Sequence, residues 1–343
     1  MHRGCPGVPW PRQSAFNVEG RAAKSTISSR RSSDPLRPVV RACNERDFPE
    51  SHSEMTHDPP SRPATARPRV DAPESDAGAP PTPDELEAIE RERTAWVALL
   101  GASVERDDAL GVTWATHPSG GAGLNYASVL RWTAADVDAR LNEVESHMRA
   151  AGLWPQVVVA DGLSQPPDLG ERLRSAGWVP LGRERLMWTR HASVVPHLDP
   201  GLRIEAVTRT TALECALLEA GAFGLDPDFV EHSADLLARA VSSGLTRAFL
   251  VRIAGEVIAS ARLVPGALGT GVASLHAVGV GERHRRRGYG RLITAIATRA
   301  GLATGHKLVW LSVDADNSGA IDMYSGLAFD PTFDLTRWAA PVR

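Results

Sequence analysis

Val278-Gly279-Val280-Gly281-Glu282-Arg283-His284-Arg285-Arg286-Arg287-Gly288-Tyr289-Gly290-Arg291-Leu292 is the stretch that decides how this chain folds. A buried strand runs into an arginine- and glycine-rich turn, and the turn opens a helix. The first N–H groups of a helix have no partner inside it, so they form an anion site. Gly288 and Gly290 remove side chains where a pyrophosphate would approach the backbone. The arginines add charge-assisted contacts to phosphate. Taken alone, the arginines read as a solvated basic loop before a surface helix, and a lone G-x-G is a weak signal.

A second landmark follows the next strand. Leu308-Val309-Trp310-Leu311-Ser312-Val313-Asp314-Ala315-Asp316-Asn317 is succeeded by Ala320-Ile321 and Tyr324. Together, Arg285-x-x-Gly288-x-Gly290 after a Val-x-Val strand and this strand, N-x-x-A-I and Tyr pattern resemble the GCN5-related N-acetyltransferase (GNAT) family over about residues 201 to 340. The resemblance implies a mixed α/β (α+β) fold with a mostly antiparallel central sheet flanked by helices. It also implies that acetyl-CoA is the co-substrate, that no metal takes part, and that the acceptor is a primary amine of a small molecule or a peptide.

The resemblance assigns roles by position. Main-chain groups of Val278, Gly279 and Val280 are expected to bind the acetyl carbonyl and pantetheine. Arg285 opens the phosphate loop, and Arg286, Arg287, Gly288, Tyr289, Gly290 and Arg291 wrap the pyrophosphate. Asn317 contacts the cofactor near the pantetheine, and Tyr324 gives a proton to the departing thiolate. A phenol titrating near pH ~10 suits that task. The plainer alternative for Tyr324 is a core tyrosine on a short helix.

No general base is evident. Some family members place a carboxylate where Ser312 stands, and serine does not serve as a base at neutral pH. Ser274 and His276 share a face by strand alternation, and His276 is a candidate to accept a proton through water, though it reads first as an ordinary half-buried histidine. Asp226 and Asp228 lie in the segment that lines the acceptor pocket in the family, but Asp226-Pro227-Asp228 is also good helix-capping chemistry. The alternative to an enzyme is a non-catalytic acyl-CoA-binding sensor module.

Residues 1–82 are expected to be a disordered tail, since they are rich in Pro, Arg and Ser and poor in large apolar residues. The arginine and serine of the first fifty resemble a transit peptide, whereas a start at Met55 is the preferred reading. Thr82-Pro83-Asp84-Glu85 signals a helix start. Residues 83–192 have no Arg-x-x-Gly-x-Gly loop, and their Ser119-Gly120-Gly121 turn lacks the charges. They are read as a degenerate acetyltransferase-like domain preceding the acetyltransferase domain over 201–343. Leu173-Arg174-Ser175-Ala176-Gly177-Trp178 resembles Tyr324-Ser325-Gly326-Leu327-Ala328-Phe329, and each is followed by a strand. This weak internal repeat suggests tandem units.

The net charge of -3 gives no reason to expect a nucleic-acid partner. Cys5, Cys43 and Cys215 are too scattered for a disulfide framework or a zinc cluster, and a cytoplasmic monomer or homodimer is expected. No apolar run reaches the ~20 residues that span a bilayer.

Overall fold

The computed structural model describes residues 79–118, 123–195, 201–266 and 270–341. The expected tail up to residue 78, the Ser119-Gly120-Gly121 turn and residues 196–200 of the connecting segment lie outside them. Helix α1 (Pro83–Ala95) begins where the sequence predicts. The Thr82 hydroxyl accepts the Glu85 N–H at 3.3 Å while the Glu85 carboxylate accepts the Thr82 N–H at 2.8 Å. This reciprocal cap satisfies two end donors. A 3-10 turn, Trp96–Leu100, carries the chain on.

The first set of elements continues with β1 (Ser103–Asp107), β2 (Val112–Thr116), β3 (Tyr126–Ser128), α2 (Val137–Ala150), β4 (Gln156–Ala160), α3 (Leu169–Ser175) and β5 (Val179–Thr189). The second set is β6 (Leu202–Ala206), α4 (Ala212–Phe223), α5 (Val230–Ser242), β7 (Arg247–Ile253), β8 (Glu256–Pro265), β9 (Val272–Val280), α6 (Tyr289–Ala303), β10 (Leu308–Asp314), α7 (Ser318–Ser325) and β11 (Asp330–Ala339). Strand β1 has no counterpart in the sequence reading, because Ser-Val-Glu-Arg-Asp is a charged edge without apolar alternation. Strand β5 buries its side chains only from Leu186 onward. Its polar first part is strand because β10 and β11 pair with it from both sides.

The eleven strands of the described residues form one sheet in the order β1-β2-β3-β4-β11-β5-β10-β9-β8-β7-β6. Two pairs, β3–β4 and β9–β10, are parallel, and the other pairs are antiparallel. The last strand of each set is exchanged. Strand β5 lies beside β10, β11 lies beside β4, and the two pair with each other at the centre of the sheet, Leu335 opposite Glu184. The strands that follow the two repeated segments, β5 and β11, are therefore partners at the centre of the sheet.

Alternation divides the side chains between two faces. On one face Met187, Leu311 and Val313 pack with Leu292 and Ile293 of α6 and with Leu327 and Phe329. On the other, Leu186, Trp188, Trp310 and Leu335 pack under Ala88 and Ile89 of α1 and Val97 and Leu100 of the 3-10 turn. Helices α4 and α5 cover β7 through Cys215, Leu237, Ala248 and Leu250. Each large side chain buried in this way contributes about 1.5–3 kcal/mol. Among the described residues no helix is long and apolar enough to cross a membrane.

Candidate active site

The parallel pairing of β9 with β10 covers Val272–Leu275 and Leu308–Leu311 and then stops. Beyond it β9 pairs with β8, and β10 pairs with β5. The two strands thus part into a V in the middle of the sheet. A register shift in β8 between Ser260 and Arg262 and a left-handed Ala277 (φ 50°) bend β9 at the mouth. An outward bend of this kind is what a β-bulge produces. Val278 and Val280 are half-buried there. Gly279 lies against α4, where a Cβ would come within 3.2 Å of Ala222 Cβ.

Below the V, Gly281 leads into a 3-10 turn, Glu282–His284, and then to α6. Gly288 takes the cap position of α6 at φ 86°, a conformation that favours glycine, and no side chain caps the helix. A Cβ added at Gly288 would meet nothing within 4 Å. The space beside Gly288 at the N-terminus of α6 is therefore open among the described residues. The arginines divide into two groups. Arg285 donates to the Ala222 and Val280 carbonyls at 3.0 and 3.3 Å, tying the loop to α4. Arg291 donates to the Gly326 carbonyl at 2.6 Å, tying α6 to α7. Arg286 and Arg287 are exposed and form no ion pair among the described residues. Open backbone donors beside free guanidinium groups fit a pyrophosphate.

Asn317 caps α7, its side-chain oxygen accepting the Ala320 N–H at 3.1 Å, which leaves its amide NH₂ to donate. Tyr324 lies on α7 with its ring tilted against Phe329, 6.0 Å between centroids. Burial raises the Tyr324 phenol well above its usual range, so it holds its proton at neutral pH. Its hydroxyl forms no hydrogen bond among the described residues.

His276 and Ser312 face the opposite side of the V, under α1. His276 is buried, its Nε2 2.8 Å from the Ser274 hydroxyl. Burial, then the charges of Arg93 and Arg262, hold its imidazole well below the usual range, while Glu184 pulls the other way. Asp226 accepts the Asp228 N–H at 3.0 Å. The two acids form the cap between α4 and α5, and both are exposed.

The sequence reading missed a polar row that crosses the sheet at the level of the V. Glu219 of α4 and Arg262 of β8 form a fully buried ion pair. Arg262 stands opposite His276. Ser312 follows on β10, on the same face as Glu184 of β5. Glu184 is gripped by Arg93 of α1, Nε to Oε2 at 3.0 Å and Nη2 to Oε1 at 2.7 Å. Arg93 also donates to the Tyr126 hydroxyl at 3.3 Å, and Arg337 lies over the Tyr126 ring at 5.0 Å. No spacing in the sequence connects residues 93, 184 and 312.

The sequence profile of the Acetyltransferase (GNAT) family matches residues 218–329. No match was found among curated proteins. Among solved structures, the chain is similar to a GCN5-related N-acetyltransferase from Kribbella flavida, at 20% identity and TM-score 0.55 over 75% of this chain and 95% of that one. It is similar to one from Sphaerobacter thermophilus at 15% identity and TM-score 0.53, over 76% of this chain and 93% of that one. A tandem GNAT protein from the clavulanic acid biosynthesis pathway matches at 17% identity and TM-score 0.50, over 60% of this chain and 70% of that one. The profile covers the parting strands, the arginine–glycine loop and α7, and the segment from 218 to 329 is an acetyltransferase domain of the GNAT family.

Proposed function

We propose that the protein is an N-acetyltransferase that moves the acetyl group of acetyl-CoA to a primary amine of a small molecule or peptide. The observation that carries this reading is the alignment of the β9–β10 V with the uncapped N-terminus of α6. Acetyl-CoA supplies an activated thioester when bound. The α6 amides with Arg286 and Arg287 hold its phosphates. The main chain of Val278 to Val280 holds the pantetheine and polarises the acetyl carbonyl. The amine lone pair forms the C–N bond as the C–S bond breaks. Sulfur takes the Tyr324 proton, the proton of the amine nitrogen leaves to water, and water returns one to Tyr324.

We read residues 201–343 as the unit that binds acetyl-CoA and 83–192 as a degenerate unit. In the first set the helix that corresponds to α6 is α2. It has Asp136 at its cap position and Asp138 in its first turn, negative charges where a phosphate would otherwise sit. A second reading, an acyl-CoA sensor without turnover, draws its support from Ser312, which puts no carboxylate of its own at the V. Free-thiol release from acetyl-CoA with peptides, aminoglycosides and polyamines in parallel separates the two. Release above the amine-free rate supports the enzyme. Binding of acetyl-CoA without release on any acceptor overturns it.

A further inference from the structure

We propose that Glu184, which the first half of the chain delivers on its exchanged strand, is the group that binds and orients the acceptor amine at the V, with Arg93 as its positioning residue. The proposal rests on the acetyltransferase reading above and extends it to the half that lacks a phosphate loop.

The placement comes from the sheet. Strand β5 is the neighbour of β10, with Leu186 opposite Ser312 and Glu184 opposite Asp314. Glu184, Ser312 and His276 share one face by alternation. Arg93 of α1 holds the Glu184 carboxylate on this face through two hydrogen bonds. Of the Glu184 side-chain surface 34% is open.

Its bonding to Arg93 leaves room for a further donor. A carboxylate accepts about four hydrogen bonds. Arg93 supplies two. A primary amine has an N–H to give to a remaining lone pair while its own lone pair points at the acyl carbon.

A stabilising role alone does not account for the pair. An ion pair whose carboxylate is about a third open to solvent gives little net stability. Glu184 does not act as the base. Burial works to raise its carboxyl, but the charge and paired hydrogen bonds of Arg93, helped by Arg337 and Ser312, outweigh burial and bring it down to about 2. It remains an anion throughout and accepts hydrogen bonds rather than protons.

The test compares wild type, Glu184→Gln and Glu184→Asp. Acetyl-CoA affinity is read by calorimetry, and thiol release is measured with a short peptide amine, an aminoglycoside and a polyamine. Wild-type turnover decides the acetyltransferase reading by itself. The variants decide the role of Glu184. The expected result is that kcat/KM for the working amine falls about tenfold or more in Glu184→Gln, the worth of one hydrogen bond to a charged group, with acetyl-CoA affinity unchanged. Glu184→Asp retains the charge that pairs with Arg93, so folding is preserved, and its retracted carboxylate is expected to raise the KM for the amine several-fold. Amine kcat/KM within twofold of wild type in folded Glu184→Asp, or acetyl-CoA affinity lost in parallel with turnover, would overturn the proposal.

Discussion

The indole of Trp96 lies flat on the imidazole of His276, 3.8 Å between ring centroids and 1° from parallel. The two residues come from opposite halves of the chain, and the stack closes one side of His276 to solvent. Its remaining neighbours are the edge of Trp310, the Ser274 hydroxyl and the charges of Arg93, Arg262 and Glu184. Burial and the two arginines thus disfavour the charged form of His276 at the mouth of the V.

This environment sets an acid limb in the stability profile. The unfolded imidazole titrates near 6.5 and the folded one well below it. Below pH 6.5 the unfolded chain binds a proton that the folded chain refuses, so stability is whole above 6.5 and falls as the pH drops. The slope for one proton approaches about 1.4 kcal/mol per pH unit. Glu184 adds a second limb of the same sign, beginning near 4.5 and ending at about 2. Urea unfolding at pH 5, 6 and 7 is expected to show the first limb in wild type and a flatter one in His276→Gln. An unchanged slope would place the titrating group elsewhere.

The Arg262–Glu219 pair is buried on both sides. Arg262→Met leaves the Glu219 carboxylate without its partner, at an expected cost of about 3–5 kcal/mol. Adding Glu219→Leu to the same chain is expected to recover much of the loss. Denaturant midpoints of the single and double variants check this.

The exchanged strands make the two halves interdependent. Residues 79–200 expressed alone lack β11 beside β4, and residues 201–343 alone lack β5 beside β10. Each fragment leaves a long sheet edge open, which favours aggregation. The expected outcome is that neither fragment is a stable monomer, whereas co-expression yields a one-to-one complex that binds acetyl-CoA. Two independently folded fragments would refute this.

Removing only the Tyr324 hydroxyl tests the proposed acid. Tyr324→Phe keeps the ring against Phe329, so folding and acetyl-CoA affinity are expected to persist while kcat falls ~10²-fold or more. Equal turnover would make Tyr324 a packing residue.

Much of this was legible in the sequence because the signals are local. Strand β9, the arginine–glycine turn and α6 stand where their alternation and helical spacing put them, and the caps at Thr82 and Asp226 follow from their immediate neighbours. The polar start of β5 was not legible, because Gly182 to Arg185 become strand only through β10 and β11. The Arg93–Glu184 contact is equally hidden. It depends on which strand of the first half inserts beside β10, a tertiary choice that neither propensity nor periodicity encodes.

Calorimetric titration of acetyl-CoA into wild type and Gly288→Glu is the most direct test of the phosphate loop at the heart of the proposed function. The substitution puts a carboxylate at the open N-terminus of α6, where Cβ has free space but the left-handed backbone does not favour it. One saturable site per chain in wild type, and none in a folded Gly288→Glu, is the expected result. No binding by wild type, or undiminished binding by the variant, would contradict it.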